Sequence, residues 1–147
     1  MSIFDSTITM RSLQVLEKGL DAAMLRREVL ANNIANVDVP HFKRSEVVFE
    51  SELKRALSDE RALEAEQKSI QLHTSRPDHI AQRQSRHVSD TTPRVSIDYN
   101  SSMRNDGNNV DIEDEVARLV RNQMQYSMMV DRIGGTFRLL NQLSRLA

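Results

Sequence analysis

The sequence predicts a mainly α-helical chain, with long N- and C-terminal helices packing along heptad seams as a coiled-coil or helical bundle and a loop-rich, partly disordered middle. Three observations carry this expectation. Apolar residues recur at alternating spacings of three and four at both ends of the 147-residue chain, which is the signature of a helix buried along one stripe. Hydrophobic residues make up 39% and aromatics 4%, with no Trp, so material for a compact core is thin and apolar surface must be hidden in helix seams or against partners. Pro40, Pro77 and Pro93, the only prolines, all fall between the two periodic segments. The expected divisions are residues 1–36 (first helix), 37–110 (turn, short charged helix and extended or loop segment) and 111–147 (last helix).

In the first segment Leu13, Leu16, Leu20, Ala23, Leu30 and Ile34 form the seam, with Arg27 its single polar member. Gly19 lies inside it and costs about 1 kcal/mol of helix propensity relative to Ala, so this helix needs a packing partner. It stops abruptly in ANNIANVDVPHF, residues 31–42. Asn36 tolerates a left-handed conformation and is expected to cap the helix. Pro40 forbids continuation and holds Val39 extended. Asn33, one turn earlier, is not placed to cap, and a contact between subunits is expected of it.

The middle is poorer in apolar residues. A short charged helix is expected around residues 46–57, with another possible after it. From Lys68 to Met103 the composition points to loop or extended structure, and the alternation of Val95, Ile97 and Tyr99 is a weak strand signal.

The last segment is the more regular. Ile112, Val116, Leu119, Gln123, Tyr126, Val130, Ile133, Phe137 and Leu140 alternate +4 and +3 throughout. Asp106-Gly107 is a turn signal, Asp111 a candidate N-cap, and Glu113, Asp114 and Glu115 suit the positive end of a helix dipole. Gly134-Gly135 is the expected site of a kink or a close helix contact. Leu139, Leu143, Leu146 and Met128-Met129 fall off the seam and give this helix a second apolar face, so it wants more than one neighbour. Helices over residues 8–36 and 112–140 would each be about 43 Å long, which suits mutual packing.

The chemistry-bearing residues are few. With 20 Lys and Arg against 21 Asp and Glu, the net charge of −1 gives no field for nucleic acid, and Arg76, Arg83 and Arg86 lack interleaved aromatics. There is no cysteine. His41, His73, His79 and His87 are spaced 32, 6 and 8 apart, which matches no helical or hairpin ligand pattern. Phosphate-binding, dinucleotide, zinc-protease and nucleophile-elbow motifs are absent, so neither catalysis nor a cofactor or metal is expected. No run approaches a membrane span of about 18 apolar residues. The N-terminus also lacks the basic start and apolar run of a cleaved secretory signal.

The residues EVLANNIANVDVPHFKR closely resemble the N-terminal signature of the bacterial flagellar axial proteins. Asn33, Ile34, Ala35, Asn36, Pro40, Phe42 and Lys43 carry the match. Val39 stands where that family has Ser or Thr, and His41 where it has Gly. A second segment, from Asn105 to the C-terminus, is similar to the FlgB family of proximal rod proteins through Asp106, Gly107, Asn108, Val110, Asp111, Glu115, Asn122 and Tyr126. The resemblance implies a non-enzymatic subunit of the basal-body rod, exported without a cleaved signal peptide and assembling helically in the periplasm to transmit torque from motor ring to hook. It implies a seam of Leu13, Leu16, Leu20, Leu30, Val116, Leu119, Val130, Ile133, Phe137 and Leu140 in the axial core. It also implies as partners further copies of the chain, rod proteins of the FlgC, FlgF and FlgG types, the rod-base adaptor FliE, the flagellar export apparatus and the MS ring. A FlgC-type rod protein, or a soluble helical adaptor or secretion chaperone, is the alternative.

Overall fold

A computed structural model describes residues 6–66 and 87–145, in two units. The first joins the two ends of the chain, up to Val48 and from Thr92 onward; the second runs from Phe49 to Thr91.

The first unit is a helical hairpin closed at one end by a two-stranded ribbon. Helix α1 spans Ser6–Ala35 and helix α3 spans Ile112–Ser144. At 30 and 33 residues they are about 45 and 50 Å long. They run antiparallel, since Gly19 lies against Met129, Ala23 against Asn122, and Asn33 against Glu115. Strands β1, Ser45–Val48, and β2, Arg94–Ile97, pair antiparallel with Ser45 opposite Ile97 and Val48 opposite Arg94. Val47 thus stands opposite Val95, a β-branched cross-strand pair suited to a pleated ribbon. The weak strand signal at 94–100 is a strand over its first four residues.

The second unit holds α2, Glu50–Glu66, and a 3-10 turn at Val88–Asp90. The expected helix at 46–57 therefore begins later and is longer, because Ser45–Val48 is taken by the ribbon. Glu50 and Glu52 occupy its first turn, where the helix dipole favours carboxylates. Ala56 and Val88 are fully buried, and Glu60 accepts a hydrogen bond from the Val88 N–H at 2.9 Å. The expectations for Lys68 to Arg86, including His73 and His79, lie outside the described residues.

Where α1 meets α3, some of the seam positions are covered within the chain and others are not. Leu13, Leu16, Leu20, Leu119, Tyr126, Ile133 and Leu140 are half-buried, and Ala23 and Leu30 are buried. The other column is displaced by one residue on both helices. On α1 Arg26, not Arg27, turns inward and Asn33 is buried more deeply than the half-buried Ile34, and on α3 Glu115, Asn122 and Met129, not Val116, Gln123 and Val130, turn inward. Val116, Val130 and Phe137 are exposed within the chain. The reason is polar: Asn33, Glu115 and Asn122 find hydrogen-bond partners across the hairpin that apolar periodicity does not register.

The glycines reverse an expectation as well. Among the described residues no atom beyond the neighbouring helix backbone lies within 4 Å of where a Cβ would stand on Gly134 or Gly135, and α3 continues through them. Gly19 provides the close approach instead. A Cβ there would sit 2.9 Å from Met129 Sδ, so its propensity cost is tied to admitting α3.

Candidate functional site

The stretch that ends α1 is the centre of a hydrogen-bonded buckle joining the two motif segments. Asn36 caps the helix, but not through a left-handed backbone; among the described non-glycine residues only His41 has positive φ. The Asn36 side-chain amide instead donates back to the Asn32 carbonyl and Oδ1 at 2.8 and 2.9 Å. The carbonyls left over at this helix end are met from the far end of the chain. The Asn108 amide donates to the carbonyls of Asn36, Val37 and Val39 at 3.2, 3.0 and 2.9 Å, while its own Oδ1 accepts from Val110 N. Unmet helix-end carbonyls in a buried setting would be costly, which accounts for a fully buried Asn at this position.

His41 occupies a left-handed turn, at φ 60°. Its N–H donates to the Asp106 carbonyl at 3.1 Å, and its ring lies over Gly107, itself at φ 80°. A Cβ on Gly107 would come within 3.0 Å of His41 Nδ1. The steric cost of His in this conformation is offset by a ring seat that only Gly107 leaves open. Pro40 and Val39 are exposed and Phe42 is half-buried.

Asn33 is completely buried, and its contacts are within the chain, not between subunits as expected. Its amide donates to the Ser45 carbonyl at 2.8 Å and to Glu115 Oε2 at 2.9 Å, and its Oδ1 accepts from Ser45 N at 3.0 Å. One side chain thus ties α1, β1 and α3 together. Glu115 is 1% exposed, so it does more than complement a helix dipole. A buried carboxylate needs a charge partner, and Arg44 supplies it, with Nη1 3.5 Å from Glu115 Oε1. Arg44 also pairs with Glu46 and, at 3.6 Å, with Asp114. Arg118 holds the same two acids at 2.7 and 2.8 Å, so two guanidiniums and three carboxylates interlock. Burial pulls the Arg118 pKa down, but the hydrogen bond it donates to Glu46 and the charges of Asp114, Glu46 and Glu115 outweigh it and leave the pKa raised.

Around this core the second motif closes the loop. Asn109 Oδ1 accepts from Arg44 N at 2.6 Å, and its amide donates to the Asp98 carbonyl and Ser101 Oγ, both at 2.9 Å. Lys43 Nζ donates to the Ser101 carbonyl at 2.9 Å. Ser101 Oγ in turn donates to Asp98, and this bond, with those from the Asn100 and Ser101 amides, lowers the Asp98 pKa. Val110 is buried, and Asp111 caps α3 by accepting from Glu113 N at 3.0 Å, as its position predicts. Ile34, Tyr126 and Asp106 are half-buried and Ala35 exposed.

The residues that sequence reasoning underweighted are Arg44, Glu46, Asn109 and Arg118. The readable signal was the density of amides in NDGNNVD, too many for one turn to use. Among the described residues no group of three His, Asp or Glu side chains could hold a metal, and no helix is long and apolar enough to cross a membrane.

Beside the buckle lies an open apolar ridge. Ile112, Val116, Val120, Met124 and Met128 follow one another every four residues on α3, and all are exposed, Met124 and Met128 by 61% and 62%. Val130, Phe137 and Leu139 extend apolar exposure toward the C-terminus. Single exposed apolar residues are ordinary, but a continuous ridge along one helix marks an interaction surface.

Residues 13–43, the greater part of the first helix and its stop, match the family described as flagella basal body rod protein. Over nearly the whole chain the sequence is similar to flagellar basal body rod protein FlgB of several bacteria. It is 39% identical to that of Borreliella burgdorferi over 89% of this chain and 93% of the relative. The values are 38% for Borrelia hermsii, over 96% and 97%, and 35% for Bacillus subtilis, over 95% and 94%. With both ends of the chain joined in one hydrogen-bonded unit, and with matches of this identity and extent, the chain belongs to the FlgB family of flagellar basal body rod proteins.

Proposed function

We propose that the protein is a structural, non-catalytic subunit of the proximal rod that assembles helically through its terminal helices and transmits torque from motor ring to hook. The observation that carries this reading is the pairing of a locked hairpin base with an uncovered apolar ridge on α3. A ridge on one subunit that docks on a different surface of the next makes a heterologous contact, and such contacts propagate into open helical filaments. The Asn33–Glu115 and Asn122–Ala23 bonds pin α1 against α3, so axial load is passed along both helices without one sliding past the other.

The subunit works in the basal body with other basal-body components. Its specific neighbours in this proposal are copies of itself, rod proteins of the FlgC, FlgF and FlgG types, FliE at the rod base, the export apparatus and the MS ring, in the periplasm after export without a cleaved signal peptide. Similarity to FlgB relatives along nearly the full chain favours this over a FlgC-type identity. An adaptor or chaperone would stop at a closed dimer. Val120→Asp or Met124→Asp in a complemented deletion strain tests the reading. Loss of swimming and of recoverable rods, at unchanged subunit level, is expected; normal swimming with intact rods would overturn it.

A further inference from the structure

Near the base of the hairpin, α3 is oriented against its own hydrophobicity. Glu115 and Asn122 face α1, 1% and 3% exposed, while Ile112, Val116, Val120 and Met124 stand exposed at the same levels. Burial of apolar surface alone would roll the helix the other way and put Val116 and Val120 inside. We propose that Asn122 is a positioning residue that selects which face of α3 meets α1, acting with the Asn33–Glu115 bond to hold the apolar ridge outward.

The geometry supports a selecting role. Asn122 Nδ2 donates to the Ala23 carbonyl at 2.9 Å, across the two helices. Rolling α3 by one residue would bring Gln123 or Arg121 inward and carry the amide away from that carbonyl. Asn33 meets Glu115 one heptad nearer the base, so two polar contacts seven residues apart on α3 fix both rotation and axial register. A buried Asn in a helix seam is known to specify register at a cost in stability. That cost is visible, because Asn122 Oδ1 is buried with no hydrogen-bond partner among the described residues. The one-residue displacement of the seam from its apolar columns, on both helices, is what such a selector would produce. Both contacts lie within one chain and hold whatever docks on the ridge.

The chain has no cysteine, so introduced pairs report without background. Gly19→Cys with Met129→Cys reads the native face, since these positions touch. Gly19→Cys with Val130→Cys reads the rolled face, since Val130 continues the Val116–Gln123 column and is exposed in the native arrangement. Dilute protein is oxidised, and intramolecular disulfide is scored by mobility on a non-reducing gel. In the parent background the first pair closes and the second does not. With Asn122→Leu the ratio of rolled to native product rises by about tenfold, while the unfolding midpoint is unchanged or higher. Asn122→Ala, which adds no bulk, produces the same redistribution and keeps the test alive should the Leu variant fail to fold. Variants that retain the parent pattern, whatever their stability, would reduce Asn122 to an ordinary contact and overturn the proposal.

Discussion

Replacing Asn33 with Ala separates an intramolecular buckle from a contact between subunits. The side chain makes three hydrogen bonds in a fully buried position, two to the Ser45 backbone and one to Glu115. The neutral bonds are worth about 1 kcal/mol each and the charged one about 2, a total of about 4. The half-buried Ser45 backbone regains some water, which brings the expected loss to about 3 kcal/mol. For a chain of this size that corresponds to a fall in Tm of about 6–12 °C. Urea unfolding of dilute, monomeric protein followed by far-UV circular dichroism gives the number directly. Asn33→Asp keeps the shape but sets a second carboxylate beside Glu115, and at pH 7 it costs at least as much. A monomer within about 0.5 kcal/mol of the parent after Asn33→Ala, combined with failed assembly, would refute the buckle and return Asn33 to a subunit interface.

His41 and Gly107 should behave as a coupled pair. Gly107→Ala costs about 1–2 kcal/mol through its positive φ and the His41 ring, whereas in a His41→Gly background the cost falls, because the ring is gone. A double-mutant cycle measures this, and strict additivity would contradict it. Asp98 titrates below its ordinary value of 3.8 because the Ser101 hydroxyl and the Asn100 amide bond its ionised form. A depressed folded pKa stabilises above the unfolded value and is lost as pH falls through the folded one, so the turn at 98–101 should loosen only below about pH 3.8. Carboxyl chemical shifts across an acid titration check this, and Ser101→Ala should move the Asp98 midpoint back upward. On the ridge, Val120→Asp leaves monomer stability within about 0.5 kcal/mol, since exposed positions without partners tolerate substitution. A large loss of stability in the monomer would show that something in the chain already covers it.

The two long helices were legible because apolar periodicity and caps agree. Asp111, the acidic first turn and the heptads all mark the same element, and Pro40 marks where the other must stop. The strand over Arg94–Ile97 was legible from alternation, but its partner was not, since Val47-Val48 sits in a stretch of charged residues that reads as helix. Along one column of the hairpin the residues covered within the chain sit one position from the apolar ones, because periodicity weighs only apolar residues. Asn33, Glu115 and Asn122 are inside for reasons of hydrogen bonding between segments 82 and 99 residues apart, which no local window contains. Asn36 was read as a self-sufficient cap, whereas the helix end is completed by Asn108, 72 residues away. His41 needed the fold to explain it, since its seat exists only once Gly107 is brought alongside.

Assembly as proposed requires the α3 ridge to be open in the subunit and covered in the rod. Met124→Cys introduces one exposed thiol into a cysteine-free chain at the middle of that ridge. Maleimide labelling of the free subunit and of purified basal bodies reads its accessibility in each state. Rapid labelling of the free subunit and at least tenfold slower labelling in the rod is the predicted result. Equal labelling in both would mean that the ridge faces water in the assembled rod, and would contradict assembly through α3.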